Sequence, residues 1–215
     1  MIGLARYRRH VAILHQATLS PTKDELLAEW LPTQPWAGDG PWHRVGAYRF
    51  DDPAGEVGLE VHLLEAAGTL IQIPLTYRGE ARADDAGLVT TMSHSALGTR
   101  WVYDAMADPA FVPVLAAATL TGTGQALGMV QRDGHWTVVP STVRLVGASP
   151  VTEPVVLGEF ALPAVEADGW STTVSETATL RLARRPVAAG ANEGPALLAV
   201  LPDGVQVVLA EITIA

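Results

Sequence analysis

The chain has 215 residues, with 14 Lys and Arg against 23 Asp and Glu, a net charge of −9, and no Cys. An acidic chain without a run of basic residues lacks the positive surface that nucleic acids and anionic membranes require, which excludes both as partners. Without Cys there are no disulfides, thiolate nucleophiles or Cys-ligated metal centres. The sequence shows neither a membrane span nor a cleavable leader, so we predict a cytoplasmic protein.

The first elements are a strand over Leu4 to Gln16 and a short helix. Thr22 followed three residues later by Glu25 is a capping box, which predicts that a helix begins there. Apolar residues at helical spacing follow, and Pro32 ends the pattern.

A β-hairpin is predicted over residues 57–78. Apolar residues alternate with Gly58, Glu60 and His62, which indicates a half-buried strand with these three on its solvent face. A turn at Ala66-Ala67-Gly68 leads into the partner strand, where Pro74 suggests an edge or a bulge.

A second helix is expected from Asp108-Pro109 to Gly122, with Asp108 as its cap. The glycine-rich stretch from Gly122 to Gly128 lacks the spacing and the preceding strand of a dinucleotide loop, so it is interpreted as a helix stop and turn.

Residues 123–215 are patterned as short strands separated by turn signals, predicted at 125–131, 135–147, 154–162, 172–182, 196–201 and 205–213. With the elements before them they indicate an α+β fold, a curved and mainly antiparallel sheet wrapped around one or two main helices. We expect residues 1–122 and 123–215 to form one compact unit, the second region continuing the sheet of the first.

Complete catalytic motifs are missing from the sequence. A kinase needs a strand Lys for the phosphates and a catalytic Asp with a downstream Asn, whereas the single Lys, Lys23, lies at a helix start and the single Asn, Asn192, in a Gly-rich loop. His94 stands between two serines but without a nucleophile elbow, and a local hydrogen-bonding role is favoured over catalysis. We predict neither a cofactor nor a metal ion.

Five ordered blocks resemble the N-terminal cap domain of actinobacterial maltokinases and related proteins of the glucosamine-kinase group. They are TLSPTKDELL (18–27), WLPTQPW (30–36), RVGAYRFDDPAGEVG (44–58), PLTYRG (74–79) and HSALGTRWVYDA (94–105). The resemblance covers about residues 10–122. It implies a cap without kinase lobes, since in that family the catalytic and ATP-binding groups lie in later lobes, and it suggests trehalose, maltose or glycogen metabolism.

Three hypotheses follow. The first is a non-catalytic module that docks onto or regulates a kinase or another α-glucan enzyme, through the Trp36/Trp42 loop, expected to be exposed, and the adjacent turn with Arg49, Asp51 and Asp52. The turn interpretation of Asp51 and Asp52 is favoured over a cation site.

The second hypothesis is a sugar or sugar-phosphate binding protein with a pocket inside the curved sheet. Its lining would be Tyr77, Trp101 and Tyr103, with Arg78, His94 or Arg100 as polar anchors. The third is an unrecognised hydrolase or isomerase that uses His94, Asp104 or the Asp51/Asp52 pair. The sequence leaves the oligomeric state open.

Overall fold

The computed structural model describes residues 11–14, 17–191 and 194–215. Most of the predicted first strand, residues 4–10 and 15–16, lies outside the described residues, as does Asn192. Within the described part of that strand, β1 spans Val11–Ile13.

The first sheet has six antiparallel strands and contains the predicted hairpin. Its strands are β2 (Leu19–Ser20), β3 (Trp42–Phe50), β4 (Gly58–Ala66), β5 (Thr69–Arg78), β6 (Leu88–His94) and β7 (Gly98–Asp104), in the order β2-β6-β7-β5-β4-β3. β4 and β5 confirm the hairpin. The pairing of β5 with β7 begins only at Leu75, so Pro74 lies just beyond the part of β5 that has β7 beside it.

Helix α1 (Lys23–Trp30) begins at the predicted capping box. The Thr22 hydroxyl accepts from the Glu25 N–H, and the Glu25 carboxylate accepts from the Thr22 N–H at 2.7 Å. Backbone and side-chain hydrogen bonds from Thr22 lower the pKa of Glu25. A short 3-10 turn, Leu31–Thr33, follows and turns the chain towards β3.

Both faces of the central hairpin β4–β5 are buried, contrary to the half-buried strand predicted from the sequence. Leu59, Val61 and Leu63 of β4 face a core shared with the rest of the chain. The opposite face carries Glu60 and His62 and is covered by α1 and the segment that follows it. Glu60 and His62, which the sequence pattern assigns to solvent, are therefore buried, whereas Gly58 is exposed as predicted. The alternation along β4 reflects two different cores.

Helix α2 (Val112–Thr121) begins later than predicted, since Asp108-Pro109 forms a turn in which Asp108 accepts from the Ala110 N–H. The predicted stop is confirmed: Gly122 caps the helix in the left-handed conformation with φ 69°.

The sequence suggested that the strands beyond residue 123 continue the first sheet. They instead belong to two other sheets, the second and the third. One has six strands in the order β10-β14-β15-β13-β12-β11, and the other has the order β1-β8-β9. Their bounds are β8 (Leu127–Arg132), β9 (His135–Val139), β10 (Arg144–Ala148), β11 (Ala164–Val165), β12 (Trp170–Val174), β13 (Ala178–Ala183), β14 (Ala196–Val200) and β15 (Gln206–Ile214).

The fold is more β-rich than the predicted α+β arrangement. The antiparallel prediction holds for both six-stranded sheets, with a parallel pair at β1 and β8. The helices have only 8 and 10 residues and cover parts of the sheets, so neither is a main helix around which a sheet wraps. No strand occurs at 154–162, where apolar residues such as Val155 and Phe160 pack from irregular backbone.

The two six-stranded sheets share one core, which also takes in α2. Gln72 of β5 connects them through hydrogen bonds. Its amide nitrogen donates to the carbonyls of Ala183 at 2.9 Å and Leu209 at 3.0 Å, and its amide oxygen accepts from the Tyr48 hydroxyl at 2.8 Å. Full burial raises the pKa of Tyr48, which keeps this hydroxyl a donor.

We expect Gly147→Ala to lower the free energy of unfolding by about 2 kcal/mol, because a methyl group there collides with backbone. A Cβ at Gly147 would lie 2.4 Å from the Cα of Gly122 at the end of α2. Gly190→Ala is the matched control, since a Cβ there meets no atom within 4 Å. Urea unfolding of both variants tests this, and equal midpoints would contradict the close approach.

Candidate functional site

The densest group of charged side chains lies on the face of the first sheet that α1 covers. We call it the Glu60 cluster. Glu60 and His62 come from β4, Arg44 and Arg49 from β3, Tyr77 from β5 and Lys23 from α1. These side chains meet because cross-strand neighbours share a face and because the capping box places Lys23 in the first turn of the covering helix.

Glu60 is a buried carboxylate held by two cations. Lys23 Nζ donates to its Oε2, and Arg49 Nη2 donates to its Oε1 at 2.5 Å. Burial by itself raises the pKa of Glu60, but the interactions with His62, Lys23 and Arg49 outweigh it and bring the pKa well below its usual range. Burial also lowers the pKa of Lys23, against the attraction of Glu60. Glu60 is therefore ionised at neutral pH.

His62 is a buried neutral imidazole whose tautomer follows from its partners. Arg44 Nη1 lies 2.7 Å from His62 Nδ1, and because a guanidinium only donates, Nδ1 is the acceptor. The proton is then on Nε2, which lies 3.6 Å from Glu60 Oε2 and 3.4 Å from the Tyr77 hydroxyl. Burial, chiefly, lowers the pKa of His62 to about 4.

The Glu60 cluster is arranged to hold α1 on the sheet. Arg44 reaches from β3 to Asp24 of α1 at 2.5 Å, beside the contact of Lys23 with Glu60. A general base needs a free lone pair and a pKa near the working pH, whereas the lone pair of His62 is occupied by Arg44 and its pKa is far below neutrality. The arrangement serves structure better than proton transfer.

A second charged group joins the first sheet to the second. Arg184, which follows β13, is 1% exposed, and its Nη2 donates to both carboxylate oxygens of Asp104 at 2.8 and 2.6 Å. Its Nε donates to Ser171 Oγ at 2.7 Å, and its guanidinium lies 4.8 Å from the ring centre of Trp36. Arg184 Nη1 has no hydrogen-bond partner among the described residues. The negative charge that neutralises the guanidinium is that of Asp104.

Asp108 is a fully buried acid that Arg78 holds. Arg78 Nε and Nη2 donate to its two oxygens at 2.7 and 2.5 Å, and the Thr76 hydroxyl donates at 2.7 Å. Burial raises the pKa of Asp108, but the hydrogen bonds from Arg78 and Thr76 prevail and lower it. The hydrogen bond with Asp108 in turn raises the pKa of Arg78.

The structure does not assemble the predicted pocket. Tyr77 lies opposite Val102, whereas Tyr103 lies opposite Thr76, so the two tyrosines point to opposite faces of the sheet. Trp101, opposite Arg78, shares the face of Tyr103. The prediction that these aromatic residues line one pocket is therefore wrong.

The predicted Trp36/Trp42 surface is also only partly present. Trp36 is 2% exposed, packs edge-on against Trp30 and accepts a hydrogen bond from Arg185 at its carbonyl, so the prediction that it is exposed is wrong. Trp42 is half-buried at the start of β3. Arg49 is engaged with Glu60.

The remaining predicted residues make local contacts. Asp52 accepts from the N–H groups of Ala54, Glu56 and Val57, as the turn interpretation requires. Asp51 precedes it in the same turn segment.

Two more predicted residues lie around the β6–β7 turn. His94 Nδ1 accepts from the N–H groups of Ala96 and Leu97, so it caps the turn as the local interpretation expects. The guanidinium of Arg100 donates to the Leu97 carbonyl.

Sequence reasoning missed the buried partners. The alternation along β4 places Glu60 and His62 on a solvent face, and the sequence shows Lys23 only as a helix-start residue outside any kinase motif. Arg44, Asp108 and Arg184 were not considered as site residues. The single Lys one residue after a helix cap was a usable signal, but its partner lies 37 residues away on a face that looked exposed.

Among the described residues, no group of three or more His, Asp or Glu is placed to hold a metal ion. No helix in the same part of the chain is long and apolar enough to cross a membrane.

Residues 30–108 match the family model of the maltokinase N-terminal cap domain. The match confirms the resemblance over the segment from the end of α1 to Asp108, which includes β3–β7. No curated protein and no solved structure matches the chain. Lys23 and Arg184 form ion pairs with Glu60 and Asp104 of the matched segment, and both lie outside it.

Stability should fall between pH 7 and pH 4 because of His62. Its folded pKa of about 4 lies below that of an exposed imidazole, so the unfolded state takes up a proton first as the pH falls. The loss is about 3 kcal/mol of unfolding free energy across this window. His62→Gln should remove it, whereas His43→Gln, an exposed imidazole on β3, should not. Urea unfolding at several pH values measures this, and parallel profiles for wild type and His62→Gln would contradict it.

Asp104→Asn should destabilise the fold by about 3 kcal/mol, because Arg184 is left buried without a counter-charge. Asn retains the acceptor that Asp104 supplies to the Met106 N–H, so the loss reports the missing charge. Adding Arg184→Met to this variant should recover part of the stability. A double-mutant cycle from urea unfolding measures the coupling, and additive effects of the two substitutions would refute it.

Proposed function

We propose that this chain is a non-catalytic docking or regulatory module for a kinase or another enzyme of maltose, trehalose or glycogen metabolism. The observation that carries the proposal is the match of residues 30–108 to the maltokinase N-terminal cap domain. In the family that the chain resembles, the cap precedes the lobes that hold the catalytic groups. A cap-like unit therefore acts through the protein surface that it presents to an enzyme.

The way the buried charges are used supports a structural role for this segment. Glu60, Asp104 and Asp108 each form ion pairs with arginine or lysine inside the fold. An active site needs polar groups that remain available to a substrate. Here the acids of the matched segment connect its strands to α1, to the turn before α2 and to the second sheet.

A direct binding measurement tests the proposal. The chain is immobilised and presented with the catalytic lobes of an actinobacterial maltokinase from which the cap has been removed, and with an unrelated small-molecule kinase as the control. We expect a dissociation constant of about 10 µM for the maltokinase lobes, in the range of transient interfaces, and no binding to the control. No binding at ten times that concentration would overturn docking to this enzyme.

A thermal-shift series separates docking from sugar binding. Maltose, trehalose, glucosamine and their phosphates are added in excess, because a ligand that binds the native state raises the unfolding midpoint. The docking proposal expects no shift with any of them. A concentration-dependent rise of several degrees with one sugar would support the sugar-binding alternative instead.

A further inference from the structure

The third sheet, β1-β8-β9, has one face that nothing in the described structure covers. Cross-strand pairing aligns Ile13 with Met129 and Met129 with Val138 on this face, and Gln131 with Trp136. None of the side chains on this face is charged. They are Val11, Ile13, Leu127, Met129, Gln131, Trp136 and Val138. On the opposite face Val130 is buried.

Four large apolar side chains of the uncovered face are exposed. Ile13 is 53%, Leu127 45%, Trp136 40% and Val138 50% exposed. Together they present an apolar area of about 400 Å², in the range of patches that bind other molecules. The face is thus a candidate contact surface.

The outer edge of this sheet is also open. Asp133 and Gly134 have φ 49° and 79° and form a two-residue hairpin turn, which makes Arg132 and His135 the first hydrogen-bonded pair. Hydrogen-bonded and non-hydrogen-bonded pairs alternate along an antiparallel ladder. The backbone N–H and C=O groups of Trp136 and Val138 therefore point away from β8, to the free side of β9.

Within β9 itself there is no Lys, Pro, bulge or charged inward-facing residue that would prevent strand pairing; Pro140 lies beyond its end. Proteins protect exposed edges with Lys, Pro, bulges or charged inward-facing residues. β9 reads His-Trp-Thr-Val-Val, and its register with β8 is regular from His135 to Val139. Its first four residues are exposed. The free edge of β9 therefore presents unpaired backbone N–H and C=O groups next to the apolar side chains of Trp136 and Val138.

We propose that β9 accepts an extended strand from a partner protein, which pairs antiparallel or parallel with the Trp136–Val138 edge and places alternate apolar residues beside Trp136 and Val138 on the apolar face. The inference rests on the proposed function and specifies where docking occurs. Unpaired backbone groups define the occupant as extended chain, since such an edge is satisfied by one more strand.

The size of the face and the charge of the chain disfavour a second copy as the occupant. A stable interface buries about 800 Å² on each partner, roughly twice the area of this face. Two copies would also each bring a net charge of −9. A strand with apolar residues at alternate positions and basic residues at its ends fits both the face and the acidic chain.

Val138→Pro tests the edge, because proline removes the outward N–H of Val138 and leaves the bonds between β8 and β9 intact. Val165→Pro is the matched control. Val165 is 48% exposed and lies on β11, at the edge of the second sheet, where the Glu166 N–H next to it points inward to Trp170. Equal unfolding midpoints of both variants establish that each is folded.

The probe is a fluorescein-labelled peptide, acetyl-KVTVTVTK-amide, followed by fluorescence anisotropy. We expect a dissociation constant below about 1 mM for wild type and Val165→Pro, and at least tenfold weaker binding to Val138→Pro. The same peptide with N-methylated alternate amides should not bind. Equal binding of Val138→Pro, or no binding of the unmodified peptide to wild type, overturns strand addition.

Two further arms separate this inference from the proposed function. If Val138→Pro still binds the maltokinase lobes with wild-type affinity, docking stands and β9 is not its site. If wild type binds the peptide but not the lobes, strand addition stands and docking to that enzyme fails. A dimer of wild type in sedimentation velocity that is absent in Val138→Pro overturns the partner assignment in favour of a second copy.

Discussion

Burial of both faces of the central hairpin β4–β5 in the first sheet is the constraint on which the rest of the structure depends. A sheet with one wet face can leave its polar side chains in water, but here α1 covers one face and α2 with the second sheet covers the other. Each charged side chain on these strands must then find a partner inside the protein, because an unpaired buried charge costs several kcal/mol. Lys or Arg meets this requirement at Glu60 of β4 and Asp104 of β7, and also at Asp108 in the turn before α2.

The ion pairs also determine how the parts of the chain are held together. Lys23 and Asp24 come from α1 and meet Glu60 and Arg44 of the sheet, so the helix is fixed by charge as well as by Leu26 and Leu27. Arg184 comes from the second sheet and meets Asp104. Hydrophobic packing is tolerant of small shifts, whereas these pairs have defined geometry and set the register of each element on the sheet.

Local features of the sequence predicted local structure well. The capping box at Thr22, the hairpin over 57–78, the Asp52 turn and the stop at Gly122 depend on residues within a few positions of one another, and each is confirmed. The burial of each strand face was predicted less well. Alternation shows that the two faces of a strand differ in polarity, but it does not show whether the polar face is exposed to solvent. The burial of Glu60 and His62 could be predicted only with the position of α1, which covers them. The burial of Trp36 depends on Arg184, which is 148 residues away in sequence.

The extent of the cap match carries a last implication. The match ends at Asp108 and begins at Trp30, yet the segment between them is completed from both sides. Lys23, before it, neutralises Glu60, and Arg184, after it, neutralises Asp104 and stacks on Trp36. Without these two residues, Glu60 and Asp104 of the matched segment would each lose a counter-charge, and Trp36 would lose its contact with a guanidinium. Part of the free energy that keeps the matched segment folded therefore comes from residues of the flanking chain.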